Sequence, residues 1–267
     1  MKFWQKFPFP KISKRQKFII TAFILTVGLL GIEFSGISWR YQAIALLGGV
    51  SYFLSAWALI EGLEGLEWFT VLILPVFFTL SICFFNFFLL TSWLIKILLT
   101  ISYGIGIYVL LLVGNIFSVA AIRTIQLLRS AQAVGLLFTL ATSFFLYNVI
   151  FFFRLPFWMN FFLAVLVSFP LIIQGLWSVN LDKEIPLKLW LYGVGLSLVQ
   201  GEMAIAFSFW PVTVAVGSLV LVTVLYICLG LIQQELALRL FSTTINEYLR
   251  VGIIVFLIIF LTTRWGG

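Results

Sequence analysis

In a chain this apolar, chemistry must come from a handful of polar side chains. Six stand inside or at the edge of long apolar runs: Glu33, Asn86, Asn148, Arg154, Asn160 and Glu202. Ionisable groups at membrane depth are costly, about 2.5–3.5 kcal/mol on insertion scales, so each marks a functional candidate with a partner to be found. Glu202, in Leu198-Val199-Gln200-Gly201-Glu202-Met203-Ala204, is the deepest; Glu33 and Arg154 lie nearer to span ends. A carboxylate and a guanidinium meeting in a membrane cavity would hold a polar or charged solute, or serve as acid and base on a lipid-linked substrate. The expectation is one polar pocket open to the outer face, with Arg154 or Lys96 pairing Glu202 or Glu33. The alternative is that Glu33, Lys96 and Arg154 each reach water alone. The asparagines would then bond neighbouring helices as packing contacts.

Most familiar catalytic chemistries are excluded. The chain has no His, one Asp (Asp182) and two Cys, Cys83 and Cys228, far apart in apolar runs. A zinc site of the usual His or Cys type, a Ser–His pair and a twin-aspartate site cannot be assembled from these residues. No phosphate-binding glycine loop follows a strand, and Gly104-Ile105-Gly106 falls inside an apolar run where glycine permits helix contact. No cofactor and no metal are expected, and an enzyme is the less favoured class.

The elements that must position these residues follow from composition. Of 267 residues, 63% are hydrophobic and 9% charged. A soluble domain carries roughly 25% charged residues. A bilayer core is crossed by about 20 apolar residues, and helices satisfy their own backbone groups in lipid. The fold class is therefore all-α, a polytopic helical bundle with spans at 18–37, 42–60, 69–90, 94–114, 133–153, 157–177, 189–209, 211–232 and 249–264. Two amphipathic connectors, about 116–132 and 233–248, are expected as interfacial helices. In the second, Glu235, Arg239, Ser242 and Asn246 form a polar stripe opposite Ala237, Leu240 and Phe241. Pro75 and Pro170 fall inside spans and predict kinks.

Orientation follows from Lys and Arg. The net charge is +7, and six of the sixteen basic residues (Lys2, Lys6, Lys11, Lys14, Arg15 and Lys17) lie in a tail, 1–17, that interleaves them with aromatics. That pattern suits an anionic lipid surface and argues against nucleic acid. With residue 1 in the cytoplasm and nine spans, twelve basic residues fall inside; Arg40, Lys96, Arg154 and Arg264 fall outside. The expected location is the cell (cytoplasmic) membrane, with the C-terminus outside. All six candidate residues then lie in the outer half. One inner loop, Glu61-Gly62-Leu63-Glu64-Gly65-Leu66-Glu67, is acidic against the trend. The membrane domain, 18–267, is also read as a possible parallel repeat of 42–154 and 157–264.

Phe153-Arg154-Leu155-Pro156-Phe157-Trp158 and the stretch from Glu202-Met203-Ala204 to Ser208-Phe209-Trp210-Pro211 resemble segments of uncharacterised polytopic bacterial membrane proteins. The resemblance implies a bacterial inner-membrane protein and brings no activity with it. Three functions stay open: a transporter-like or solute-binding protein, a non-catalytic assembly subunit, and a membrane enzyme on a lipid-linked substrate. The expected partners are membrane lipid, other membrane proteins and an unidentified small molecule.

Overall fold

The computed structural model describes residues 13–34, 39–89, 92–121 and 126–263. Among them are nine α-helices and no strand: α1 (Lys14–Phe34), α2 (Arg40–Leu59), α3 (Glu67–Leu89), α4 (Trp93–Ala120), α5 (Leu128–Phe152), α6 (Phe157–Asn180), α7 (Leu187–Phe209), α8 (Val214–Leu236) and α9 (Ser242–Thr262). Each is long and apolar enough to cross a bilayer. The chain is a multi-pass membrane protein of the expected all-α class. We call the end where α1 begins the near end and the opposite one the far end.

The two connectors behave differently from expectation. Residues 116–120 continue α4 and 128–132 open α5; residues 122–125 lie outside the described segment. Residues 233–236 close α8, and 242–248 are the first turns of α9. The described residues of both connectors thus belong to the ends of spanning helices and to the turns between them, and form no separate interfacial helix. The break between α8 and α9 sits at Leu238, whose φ of 56° is left-handed. Arg154 (φ 48°) and Leu181 (φ 57°) follow α5 and α6 in the same conformation. That conformation lets the Leu181 N–H bond back to the Trp177 carbonyl at 2.9 Å, closing the last turn of α6. Pro156 and Pro186 stand immediately before α6 and α7, where a missing N–H costs nothing.

Helix α3 is central, touching α2, α4, α5 and α6. The main core gathers Phe18, Leu25, Ile44, Leu72, Leu111, Phe117 and Trp177 from α1 to α6. A smaller core at the far end joins Tyr147, Ala164, Ala204, Phe207 and Leu221. Helix α9 packs on α8 and leaves Ile254, Leu257 and Leu261 exposed, as a lipid-facing edge helix would.

The most extensive helix contact is α6 on α7. Two glycines allow it. A Cβ on Gly193 would stand 2.4 Å from Ile173 Cδ1, and one on Gly201 would stand 2.6 Å from the Phe161 ring and 2.7 Å from Val165. Small residues let helix backbones approach in lipid, where the hydrophobic effect gives no drive. Gly195, on the outward side of the same helix, has open space. Gly201→Leu should therefore lower stability in detergent by about 1–3 kcal/mol, the usual cost of overpacking. Gly195→Leu should leave the melting temperature nearly unchanged. Equal melting temperatures for the two variants would contradict the α6–α7 fit.

Candidate functional site: a polar seam between two clefts

The far-end cleft is built where two helix pairs meet. Helix α5 stops at Phe152 and the chain turns through Arg154, Leu155 and Pro156 into α6. Beside it, α7 stops at Phe209 and turns through Trp210 and Thr213 into α8. Between the turns lies an open cleft of about 600 Å³, lined by Arg154, Asn160, Ser208, Thr213 and the apolar Phe151, Phe207, Trp210 and Val212 among others. Among the described residues, no acidic side chain lines it. Asn160 is 3% exposed; its Nδ2 donates to Ser208 Oγ at 2.9 Å and to the Leu155 carbonyl at 3.3 Å. Its Oδ1 is buried with no hydrogen-bond partner. Thr213 caps α8, its hydroxyl accepting the Val216 N–H at 3.4 Å. Trp210 Nε1 donates to Thr263 Oγ1 at 3.2 Å, tying α9 to the same end.

Of the six candidate residues, Arg154 and Asn160 line this cleft. Asn148 is buried in α5, its Nδ2 donating to the Phe144 carbonyl at 2.8 Å. Asn86 is buried in α3. Glu202 is exposed on α7, is not among the cleft-lining residues, and forms no ion pair with Arg154. Gly201 explains its position: with that residue wedged against α6, the next one, about 100° further round the helix, points away. The backbone of Glu33 lies in α1, and its side chain is outside the described residues.

Below the cleft, facing polar side chains run down the α5–α6 contact. Tyr147 Oη and Ser168 Oγ are 2.7 Å apart, and either can donate. Gln200 of α7 brings its Oε1 to 3.4 Å from the same tyrosine hydroxyl. Deeper, Thr139 Oγ1 lies 3.4 Å from Gln174 Oε1. Gln233 of α8 donates to the Gly175 carbonyl at 2.9 Å. Near the other end, Gln132 Nε2 donates to the Ser178 carbonyl at 2.8 Å. Tyr147, Ser168, Gln200, Thr139 and Gln174 are all 2% exposed or less. Thr142 Oγ1, on the same stretch of α5, is buried without a partner. From Asn160 to Ser178 the seam spans 18 residues of α6, roughly 27 Å at 1.5 Å per residue, close to the thickness of a hydrocarbon core.

Past the end of α6 a second cleft of about 500 Å³ lies at the near end, lined by Glu64, Glu67, Leu181, Asp182 and Lys183 among others. The acidic loop that ran against the charge trend supplies two of these residues. Its first member, Glu61, closes the same end differently: Lys17 Nζ lies 2.9 Å and Lys14 Nζ 3.3 Å from its carboxylate. Lys17 also stands 5.8 Å from the Trp57 ring centre. Glu64 and Glu67 bond reciprocally across the first turn of α3, the Glu67 N–H to the Glu64 carbonyl at 3.0 Å and the Glu64 N–H to Glu67 Oε2 at 3.4 Å.

Sequence reasoning missed Tyr147, Ser168, Gln200 and Thr139, because each is ordinary in a membrane helix taken singly. The signal was periodic: Asn160, Ser168, Gln174 and Ser178 fall on one face of α6, and Asp182 follows just past its end.

The sequence profile of a protein family of unknown function, DUF5656, matches residues 24–262. The chain belongs to this family. No curated protein and no solved structure matches it. The region matched to DUF5656 contains the whole seam and both clefts, and starts after Lys14 and Lys17.

The two lysines, Lys17 foremost through its hydrogen bond, hold the Glu61 carboxyl below its usual value. A depressed carboxylate contributes stability above its unfolded value and loses it as pH falls through the folded value. The difference in melting temperature between the wild-type protein and Glu61→Gln should therefore be present at neutral pH and vanish in acid. Because the Glu61 side chain is half-exposed, the difference should be small. A difference that persists unchanged to pH 2 would contradict the clasp.

Proposed function

We propose that this family member is a transporter-like, solute-binding membrane protein. The far-end cleft receives the solute, and the α5–α6 seam is its route toward the near-end cleft. One observation carries the reading: buried hydrogen-bonding side chains recur along α6 between a cleft at one end of the bundle and a cleft at the other. In lipid a hydrogen-bonded polar pair between helices adds only about 0.6 kcal/mol on average. Side chains that exchange partners at small cost suit a contact that opens and closes. Arg154 marks the far-end cleft as the receiving side for a negatively charged group, and basic residues at the start of α1 favour the cytoplasm at the near end.

A second reading, assembly with another membrane protein, is favoured by the outward face of α7. There Glu202 is exposed in the same stripe as Gly195 and Leu198.

Cysteine accessibility separates the two. In a Cys83→Ala, Cys228→Ala background reconstituted in liposomes, Ser168→Cys should react slowly with a membrane-impermeant thiol reagent applied from either side. Thr213→Cys, exposed in the far-end cleft, should react quickly from the far side alone. Full protection of Ser168→Cys from both sides, with Thr213→Cys reactive, would contradict a route through the seam.

A further inference from the structure

We propose that the occupant of the far-end cleft is a phosphate-bearing lipid headgroup that also carries a hydroxyl, a class exemplified by phosphatidylglycerol. This deepens the solute-binding reading and rests on it.

Three features define the ligand. The first is charge. Among the described residues, Arg154 lines the cleft, no acidic residue does, and no ion pair engages the guanidinium. A guanidinium presents a planar fork of N–H donors matched to two phosphate oxygens. The second is the start of α8. Val214 lines the cleft as the first residue of a 23-residue helix; the Thr213 hydroxyl takes the Val216 N–H and the Thr213 carbonyl the Gly217 N–H, and the N–H groups of Val214 and Ala215, which have no intrahelical acceptor, favour an anion.

The third feature is independent of charge and asks for a donor. Asn160 is almost wholly buried, with Oδ1 unpaired. The amide cannot be turned round to relieve this. The Leu155 carbonyl at 3.3 Å only accepts, so the nitrogen must face it. Oδ1 is left for a ligand N–H or O–H. A bare anion such as sulfate leaves it unmet, whereas a hydroxylated phosphodiester satisfies both ends. Phe151, Phe207 and Trp210 supply apolar wall beside the polar groups, which suits an amphiphile better than a free ion.

The test uses the full-length protein in mild detergent, with bound lipid counted by native mass spectrometry. Phosphatidylglycerol should bind at least tenfold more tightly than phosphatidylcholine, which has the phosphate and no donor. Arg154→Gln should remove the preference, Arg154→Lys should keep part of it, and Arg239→Gln, which removes a cation outside the cleft, should leave it intact. Equal binding of the two lipids by the wild-type protein would overturn the proposal, as would an undiminished preference in Arg154→Gln. sn-Glycerol 3-phosphate distinguishes the sources. Displacement of lipid only at great excess supports a lipid ligand, whereas displacement at equal concentration assigns the cleft to a free phosphoester and overturns the lipid assignment. The Ser168→Cys labelling reads the route and this assay reads the occupant, so either can fail alone.

Discussion

In hydrocarbon, a polar group has no water to fall back on and must find its partner inside the protein. That constraint shapes the bundle from α5 to α8. Tyr147 meets Ser168 and Gln200, Thr139 meets Gln174, and Gln132 and Gln233 reach backbone carbonyls of α6. Each bond requires α5, α7 or α8 at one rotation and one depth against α6. The glycine contacts then fix distance: α7 can approach α6 closely because Gly193 and Gly201 carry no side chain. Direction and spacing together place Asn160 beside Ser208 and leave an open cleft above them.

The architecture was legible because it depends on a length and a composition. Nine apolar runs of about 20 residues predict nine helices, and lipid removes the competing strand. The ends were less legible. The polar stripes at 116–132 and 233–248 read equally well as interfacial helices and as protruding ends of spans. What separates the two in the second case is a single left-handed residue, Leu238, which is not the glycine that usually signals such a stop.

The polar residues divide along similar lines. Polarity inside or beside an apolar run singles out Arg154 and Asn160, which line one cleft, but the same reasoning also selects Glu202. Depth along a helix is readable from sequence; rotation about it is set by neighbours. Gly201 decides that rotation, and its importance depends on Phe161 and Val165, forty and thirty-six positions earlier. The seam was hidden for a related reason. Serine, threonine and tyrosine are unremarkable one at a time, and only the facing of two helices brings them together.

Much therefore depends on whether the bonds across the α5–α6 contact are formed in the membrane. The direct measurement is a double-mutant cycle on Tyr147→Phe and Ser168→Ala, read by reversible unfolding in mixed micelles. The account predicts that the two losses are coupled, by about 0.6 kcal/mol and at most about 1.7 kcal/mol, the range for side-chain hydrogen bonds between membrane helices. Strict additivity, with each substitution acting as though the other residue were absent, would contradict it.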